Sequence, residues 1–244
     1  MSLLFSALTV SAATIKPVDL AELVDGADLI FVGTVIGMES VPVRDGSFAY
    51  TYVTFDVEQT LKGIPRSGKT ITLRFAGGQA GDSVYEVSGT PRFADRGRHL
   101  LFVEGNDQLT VPLVGRQQGK LDIVPHPHTQ EPIVVDDALR AVDGVKENGW
   151  RRGGLRLNRD GTLRASREGV RVISQEGVHI ELEPETAGDA REKAAPLGSV
   201  LGELRSYIAK RKASSPQFRG KQFTESASKN DVPASLRFEH GRVK

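Results

Sequence analysis

Gly63-Ile64-Pro65-Arg66-Ser67-Gly68-Lys69-Thr70 matches the phosphate-loop pattern GxxxxGK[ST] in full. Such a loop works when backbone N–H groups at the start of a following helix cradle phosphate, with the lysine on the terminal phosphates and the hydroxyl on magnesium. Residues 70–75, TITLRF, alternate instead as a strand, and Pro65 with Gly68 makes a connection between strands. Lys69 and Thr70 are therefore assigned no nucleotide.

His126-Pro127-His128 places two imidazoles at i and i+2, on one side of an extended segment, with the carboxylates Asp122 and Glu131 close in sequence. A zinc or copper site is one reading of His126 and His128; a Pro-rich linker is the other, because no third ligand stands at a recognisable spacing. The run Asn158-Arg159-Asp160-Gly161-Thr162 has part of a calcium loop but no later bidentate glutamate, and reads as a hairpin turn. Hydrolysis needs a nucleophile beside a base or a metal-bound water, and neither GxSxG nor HExxH occurs. Tyr50, Tyr52 and Thr54, with Arg74 on a neighbouring strand, make the aromatic and basic surface on which a small barrel binds oligosaccharide or single-stranded nucleic acid. A solvated face of cross-strand pairs is the alternative for the same residues.

The elements that must position these groups are mostly strands. Leu20, Leu23 and Val24 recur at helical spacing and end near Gly26. ADLIFVGTVIG (27–37) is a buried-strand run, and AYTYVTFDVEQTLKG (49–63) alternates with Thr51, Val53, Phe55 and Val57 on one face. At nearly twice the usual strand length, the latter should bend or bulge. Further strands are expected at 70–75, 83–87, 99–103, 109–113 and 120–124. Pro125, Pro127 and Pro132 then mark a boundary. Beyond it, 133–142 reads as a short helix, and 155–166 and 170–183 read as hairpins turned at Asp160-Gly161 and Glu176-Gly177. Leu197, Val200, Leu201, Leu204 and Ile208 form a helical stripe closed by Lys210, Arg211 and Lys212.

Composition narrows the function classes. Lys+Arg 32 against Asp+Glu 31 gives a net charge of +1, so the protein as a whole carries no field to draw in nucleic acid or an anionic membrane. With no cysteine, disulfides, thiolate nucleophiles and Cys-type zinc sites are excluded. Residues 1–13, MSLLFSALTVSAA, run apolar from Leu3 to Val10 into small residues and read as a signal peptide, although no Lys or Arg precedes the run. The tail after Ala213 sets six basic residues against three acidic ones and reads as disordered.

The pieces ADLIFVGTVIG, YVTFDVEQTLKG with its closing Leu61-Lys62-Gly63, TLRFAGG, RHLLFVEG and QLTVPL give the first unit an order of features similar to the netrin-like OB-fold module of tissue inhibitors of metalloproteinases. The chain also resembles a set of exported bacterial proteins of unassigned function that share the first two pieces. The resemblance covers about residues 17 to 125 and implies a small closed barrel of five or six strands. The inhibitors chelate protease zinc through an N-terminal cysteine, and no residue here inherits that role.

The expected architecture is thus mainly β: a signal peptide (1–13), an OB-like closed barrel with a short N-terminal helix (17–125), a linker with a short helix (126–153), β-hairpins plus a C-terminal helix (154–212) and a disordered basic tail (213–244). The expected function is a non-catalytic binding module, extracellular or periplasmic, without cofactor and without a transmembrane anchor in the mature chain. Its partner is expected to be a protein, with an extracellular protease as one candidate by analogy. The alternatives are an oligosaccharide- or polymer-binding envelope protein using Tyr50, Tyr52 and Arg74, and a metal-dependent enzyme or carrier using His126 and His128.

Overall fold

A computed structural model of the chain describes residues 17–65, 68–106, 109–147, 149–158, 170–174, 177–181, 194–218 and 233–236. Helix α1 (Leu20–Gly26) starts at Asp19, whose carboxylate accepts the Glu22 N–H while the Glu22 side chain reaches back to the Asp19 N–H. This capping box satisfies two orphan donors and fixes where the helix begins. Strands β1 (Leu29–Pro42), β2 (Ala49–Lys62), β3 (Thr70–Ala76), β4 (Gly78–Ala80), β5 (Ser83–Tyr85), β6 (Arg98–Val103), β7 (Lys120–Pro125), β8 (Pro132–Val135), β9 (Arg140–Lys146) and β10 (Gly149–Arg156) follow. The hairpin β11 (Val170–Ser174) and β12 (Gly177–Glu181) pairs within itself, and helix α2 (Leu197–Ser214) comes last of the long elements. No helix among the described residues is long and apolar enough to cross a membrane.

Eight strands form one antiparallel sheet in the order β10-β9-β8-β7-β6-β1-β2-β3. A barrel closes only when its first and last strands pair; here β10 and β3 are edges, so the expected OB-like closed barrel is not formed. Two local features decide this. Residues 109–113, read as a strand, are a loop that meets β6 in an isolated bridge, Val103–Leu113, and not as a paired strand. The same loop caps the outer edge of β3: Asn106 Oδ1 accepts the Arg74 N–H (3.0 Å), Asn106 Nδ2 donates to the Thr72 carbonyl (2.9 Å), and the Ala76 N–H donates to the Thr110 carbonyl (2.7 Å). A side-chain amide thus satisfies backbone groups that a neighbouring strand would otherwise take.

The sheet instead grows past residue 125. The expected helix at 133–142 is β8, a turn and the start of β9. Asp136 Oδ1 accepts the N–H groups of Ala138 and Arg140, both at 3.0 Å, and Leu139 adopts φ 58°. That aspartate-organised turn overrides the helical spacing of the apolar residues around it. Of the hairpin expected at 155–166, the turn at Asp160-Gly161 lies outside the described residues.

The two faces of the sheet carry separate apolar layers. Ile30 and Val32 of β1, Leu100 and Phe102 of β6, and Leu121 and Ile123 of β7 pack beneath α1 and the Leu197–Ile208 stripe of α2. Leu29, Phe31 and Val35, with Val53, Phe55, Ile71, Leu73 and Phe75, fill the opposite face together with Val111 and Leu113. Register shifts in the β1–β2 pair between Ile30/Phe31, Val32/Gly33 and Val35/Gly37 bend these long strands, as their length required. Lys62, at the end of β2, donates to the Val24 carbonyl (2.7 Å) and so caps the C-terminal end of α1. Of the expected tail 213–244, residues 213–218 and 233–236 are described: 213–214 close α2, the Phe218 ring centroid lies 3.8 Å from Lys62 Nζ, and Leu236 is buried.

Candidate functional site

Beyond Thr34 strand β1 has no β6 partner, and β1 and β2 continue as a ribbon whose inner face carries Met38 and Val53, paired in register. At the end of β3, Gly77 (φ 102°) and Gly78 (φ 141°) fold the chain into the β4–β5 hairpin. A Cβ on Gly78 would lie 2.5 Å from Thr51 Oγ1 and 2.6 Å from Ser40 Oγ, so only glycine permits this close crossing. Residues 86–93 then turn back over the ribbon, held by Thr90 Oγ1 donating to the Ala76 carbonyl (3.2 Å).

Between hairpin, loop and ribbon lies a cleft of about 600 Å³. Val53, Phe75 and Phe93 line its apolar interior, and Thr51, Ser88, Thr90, Glu86 and Arg92 contribute the polar lining. Met38 and Val84, 41% and 69% exposed, extend the apolar surface outward. Glu86 and Arg92 pair at 2.7 Å, which leaves this lining without net charge. A volume between roughly 300 and 1,000 Å³, apolar walls and a few polar groups are the usual attributes of a recognition pocket.

Phe93 also joins the cleft to a buried polar group. Its ring packs against Phe75 (centroids 4.9 Å), Phe55 (5.4 Å) and His99 (5.2 Å, interplanar angle 84°). His99 on β6 stands opposite Asp122 on β7, and its Nδ1 lies 2.7 Å from Asp122 Oδ1, which Lys120 Nζ also approaches at 2.6 Å. Burial raises the Asp122 carboxyl, but the hydrogen bond to His99 and the Lys120 charge outweigh it and hold it below the usual carboxylate range. The ionised Asp122 is an acceptor, so His99 carries its proton on Nδ1. Its Nε2 is buried without a hydrogen-bond partner, and a Cβ on Gly97 would lie 2.7 Å from it.

Burial depresses the His99 pKa, helped by Lys120 and opposed by Asp122. A neutral imidazole backed by a carboxylate is the base half of a nucleophile-activating pair, but this ring is enclosed by Phe55, Phe93 and Gly97. Its visible consequence is in stability. The contribution is full above the ordinary 6.5 and is lost as pH falls from there through the lower folded-state value, with a slope of at most about 1.4 kcal/mol per pH unit. His99→Gln is expected to flatten that acid limb, as read by urea unfolding at half-unit steps between pH 5 and 8.

The residues singled out in the sequence sit elsewhere. Tyr52 is 5% exposed, Tyr50 is half-buried with the Arg74 guanidinium 4.4 Å from its ring centroid, and Tyr50 packs edge-on against Phe48. On the face expected to be exposed, Tyr52 and Thr54 are thus buried, and Tyr50 packs against Phe48 and Arg74. His126 is 7% exposed, and its Nδ1 accepts the N–H groups of His128 (3.2 Å) and Thr129 (3.3 Å). That nitrogen organises the β7–β8 turn instead of facing a metal. Asp122 is engaged with His99 and Lys120, and among the described residues no group of three His, Cys, Asp or Glu could hold a metal ion. Thr70 opens a strand, so the helix start that a phosphate cradle needs does not follow Lys69.

Sequence reasoning missed Phe93, the cleft and the His99–Asp122–Lys120 cluster. One signal was present: a histidine inside the apolar run RHLLFV needs a buried partner, and Lys120 and Asp122 at i and i+2 share a strand face. Which strand faces β6 was not readable. Comparison with protein-family models, with curated proteins and with solved structures gives no match for this chain. The likeness to the inhibitor module and to the exported bacterial set therefore has neither a homology signal nor a closed barrel behind it, and is withdrawn.

Proposed function

We propose that this chain is an exported, non-catalytic binding module that takes an apolar side chain of a protein partner into the cleft between the β4–β5 hairpin and residues 86–93. One observation carries the reading: an apolar interior of Val53, Phe75 and Phe93 continues into Met38 and Val84, which remain exposed. Apolar surface that reaches out of a pocket suits a partner anchored by one buried side chain and packed around it. The protease candidate came with the withdrawn resemblance and is dropped with it. Placement outside the cytoplasm rests on the Leu3–Val10 run, whose residues lie outside those described; N-terminal sequencing of protein from its native host reads whether it is cleaved near residue 13.

Panning a random heptapeptide library against the full chain, then measuring selected peptides by fluorescence anisotropy, tests the cleft. Enriched peptides are expected to share a large apolar residue, and Met38→Glu or Val84→Glu is expected to weaken them about tenfold or more, since each places a charge against the anchor. Both side chains are exposed, so the variants should keep the wild-type melting temperature. Peptides that bind the variants as well as the wild type would end this reading.

A further inference from the structure

Strand β6 accompanies β1 only as far as Thr34. The last backbone bonds on that side belong to Val35, whose N–H donates to the Gly97 carbonyl (2.8 Å) and whose carbonyl accepts the Arg96 N–H (3.2 Å). There the chain that leads into β6 departs from the sheet line: the Gly97 N–H closes on the Ala94 carbonyl (3.0 Å), Arg96 adopts φ 56°, and Phe93 lies in the cleft. β1 runs on to Pro42 in unbroken register with β2 from Gly37 onward. Among the described residues, no strand and no loop backbone bonds to Gly37–Val41 along the side that β6 has left. The 3-10 turn at Ala234–Leu236 meets β1 through Ser235 and the Glu39 carboxylate, a side-chain contact on the face opposite Met38.

Sheet edges are commonly blunted by lysine, by a bulge or by a covering element. Between Thr34 and Val43 there is no Lys or Arg, and the register shift at Val35/Gly37 precedes the run instead of interrupting it. Two exposed apolar side chains stand on this stretch, Ile36 (38%) and Met38, and Met38 also lines the cleft. We infer that the partner segment taken by the cleft binds as an added strand. An extended stretch lies antiparallel to β1 along Gly37–Val41, on the line β6 vacates, and sends one large apolar side chain past Met38 into the cleft. The inference rests on the cleft reading for its anchor and adds the backbone contacts that set direction and register. Five residues of edge, about 17 Å, accommodate a short peptide. The antiparallel sense continues that of β6 against β1. A helical partner would leave the edge groups without partners, because its own N–H and C=O groups are bonded internally. An extended one satisfies them, main-chain bonds giving affinity and the cleft selecting the side chain.

Peptides selected by panning against the full chain, resynthesised with each backbone nitrogen methylated in turn, test this by fluorescence anisotropy. Methylation removes a donor without changing a side chain. An added strand should lose about fivefold or more in affinity at alternate positions and less than about twofold between them. Ile36→Lys, which lies outside the cleft lining, should weaken the unmethylated peptides about threefold or more at an unchanged melting temperature. Losses without alternation overturn the added strand, as does Ile36→Lys binding as tightly as the wild type; in either case sensitivity to Met38→Glu and Val84→Glu still upholds the cleft. Alternation with both glutamate variants binding as the wild type overturns the cleft reading and the anchor with it. A library that enriches no peptide overturns both. A wild-type dimer that Ile36→Lys converts to monomer overturns the partner segment in favour of a second copy of this chain.

Discussion

Asp25→Ala should lower the unfolding free energy by about 3 kcal/mol. Asp25 is 4% exposed at the end of α1, and it receives the guanidinium of Arg211 through Nε (3.1 Å) and through a terminal nitrogen, together with the Ser215 hydroxyl at 2.6 Å. The pair joins residues 186 positions apart and fastens α2 to α1. Removing the carboxylate leaves Arg211, whose side chain is 28% exposed, partly buried without its counter-charge. That loss exceeds what the pair adds over an apolar replacement. Burial raises the Asp25 carboxyl, but the hydrogen bonds from Arg211 and Ser215 and the charges of Arg211 and Lys62 outweigh it, and the group titrates below the ordinary 3.8. A depressed folded-state value stabilises the fold above 3.8, and the contribution is lost as pH falls through the folded-state value. Thermal unfolding between pH 2 and 7 should therefore show a steeper acid limb for the wild type than for Asp25→Asn, with the difference confined to the region below about pH 4. Equal limbs would mean that the carboxylate carries no linkage.

Phe55→Ala is expected to cost about 4 kcal/mol. The side chain is fully buried, packs edge-on to Phe31 (5.8 Å), and supports Phe93 and His99 from below. The loss combines transfer of the ring to water with an unfilled cavity, because neighbours set in two strands cannot collapse onto it. The effect reaches the cleft: without Phe55 beneath it, Phe93 loses a contact that holds it against Phe75. Phe55→Leu keeps most of the volume and should cost about 1 to 2 kcal/mol. Urea unfolding gives the stability difference, and peptide affinity of the folded Phe55→Leu chain shows whether Phe93 is positioned from below. Unchanged affinity would mean that the 86–93 loop holds Phe93 by itself.

Much of the local structure was legible in the residues. Asp19 with Glu22 marks where α1 begins, the alternation of Val53 and Phe55 marks β2, and the Leu197–Ile208 spacing marks the buried stripe of α2. These depend on short-range sterics, periodicity and capping, which a chain carries wherever it is placed. The absence of cysteine likewise removes thiol chemistry by composition alone. What tertiary structure alone decided is which strand meets which. An open sheet and a closed barrel can use the same strands, and the difference here lies in Asn106 capping the β3 edge and in Asp136 turning 132–146 into a hairpin. The same holds for the candidate sites. Phe93 reaches Phe75 and His99 reaches Asp122 only through pairings between elements remote in sequence, and Tyr52 is covered where strand alternation placed it in solvent. Periodicity states that a residue has two faces to choose between; only the packed partner states which face is covered.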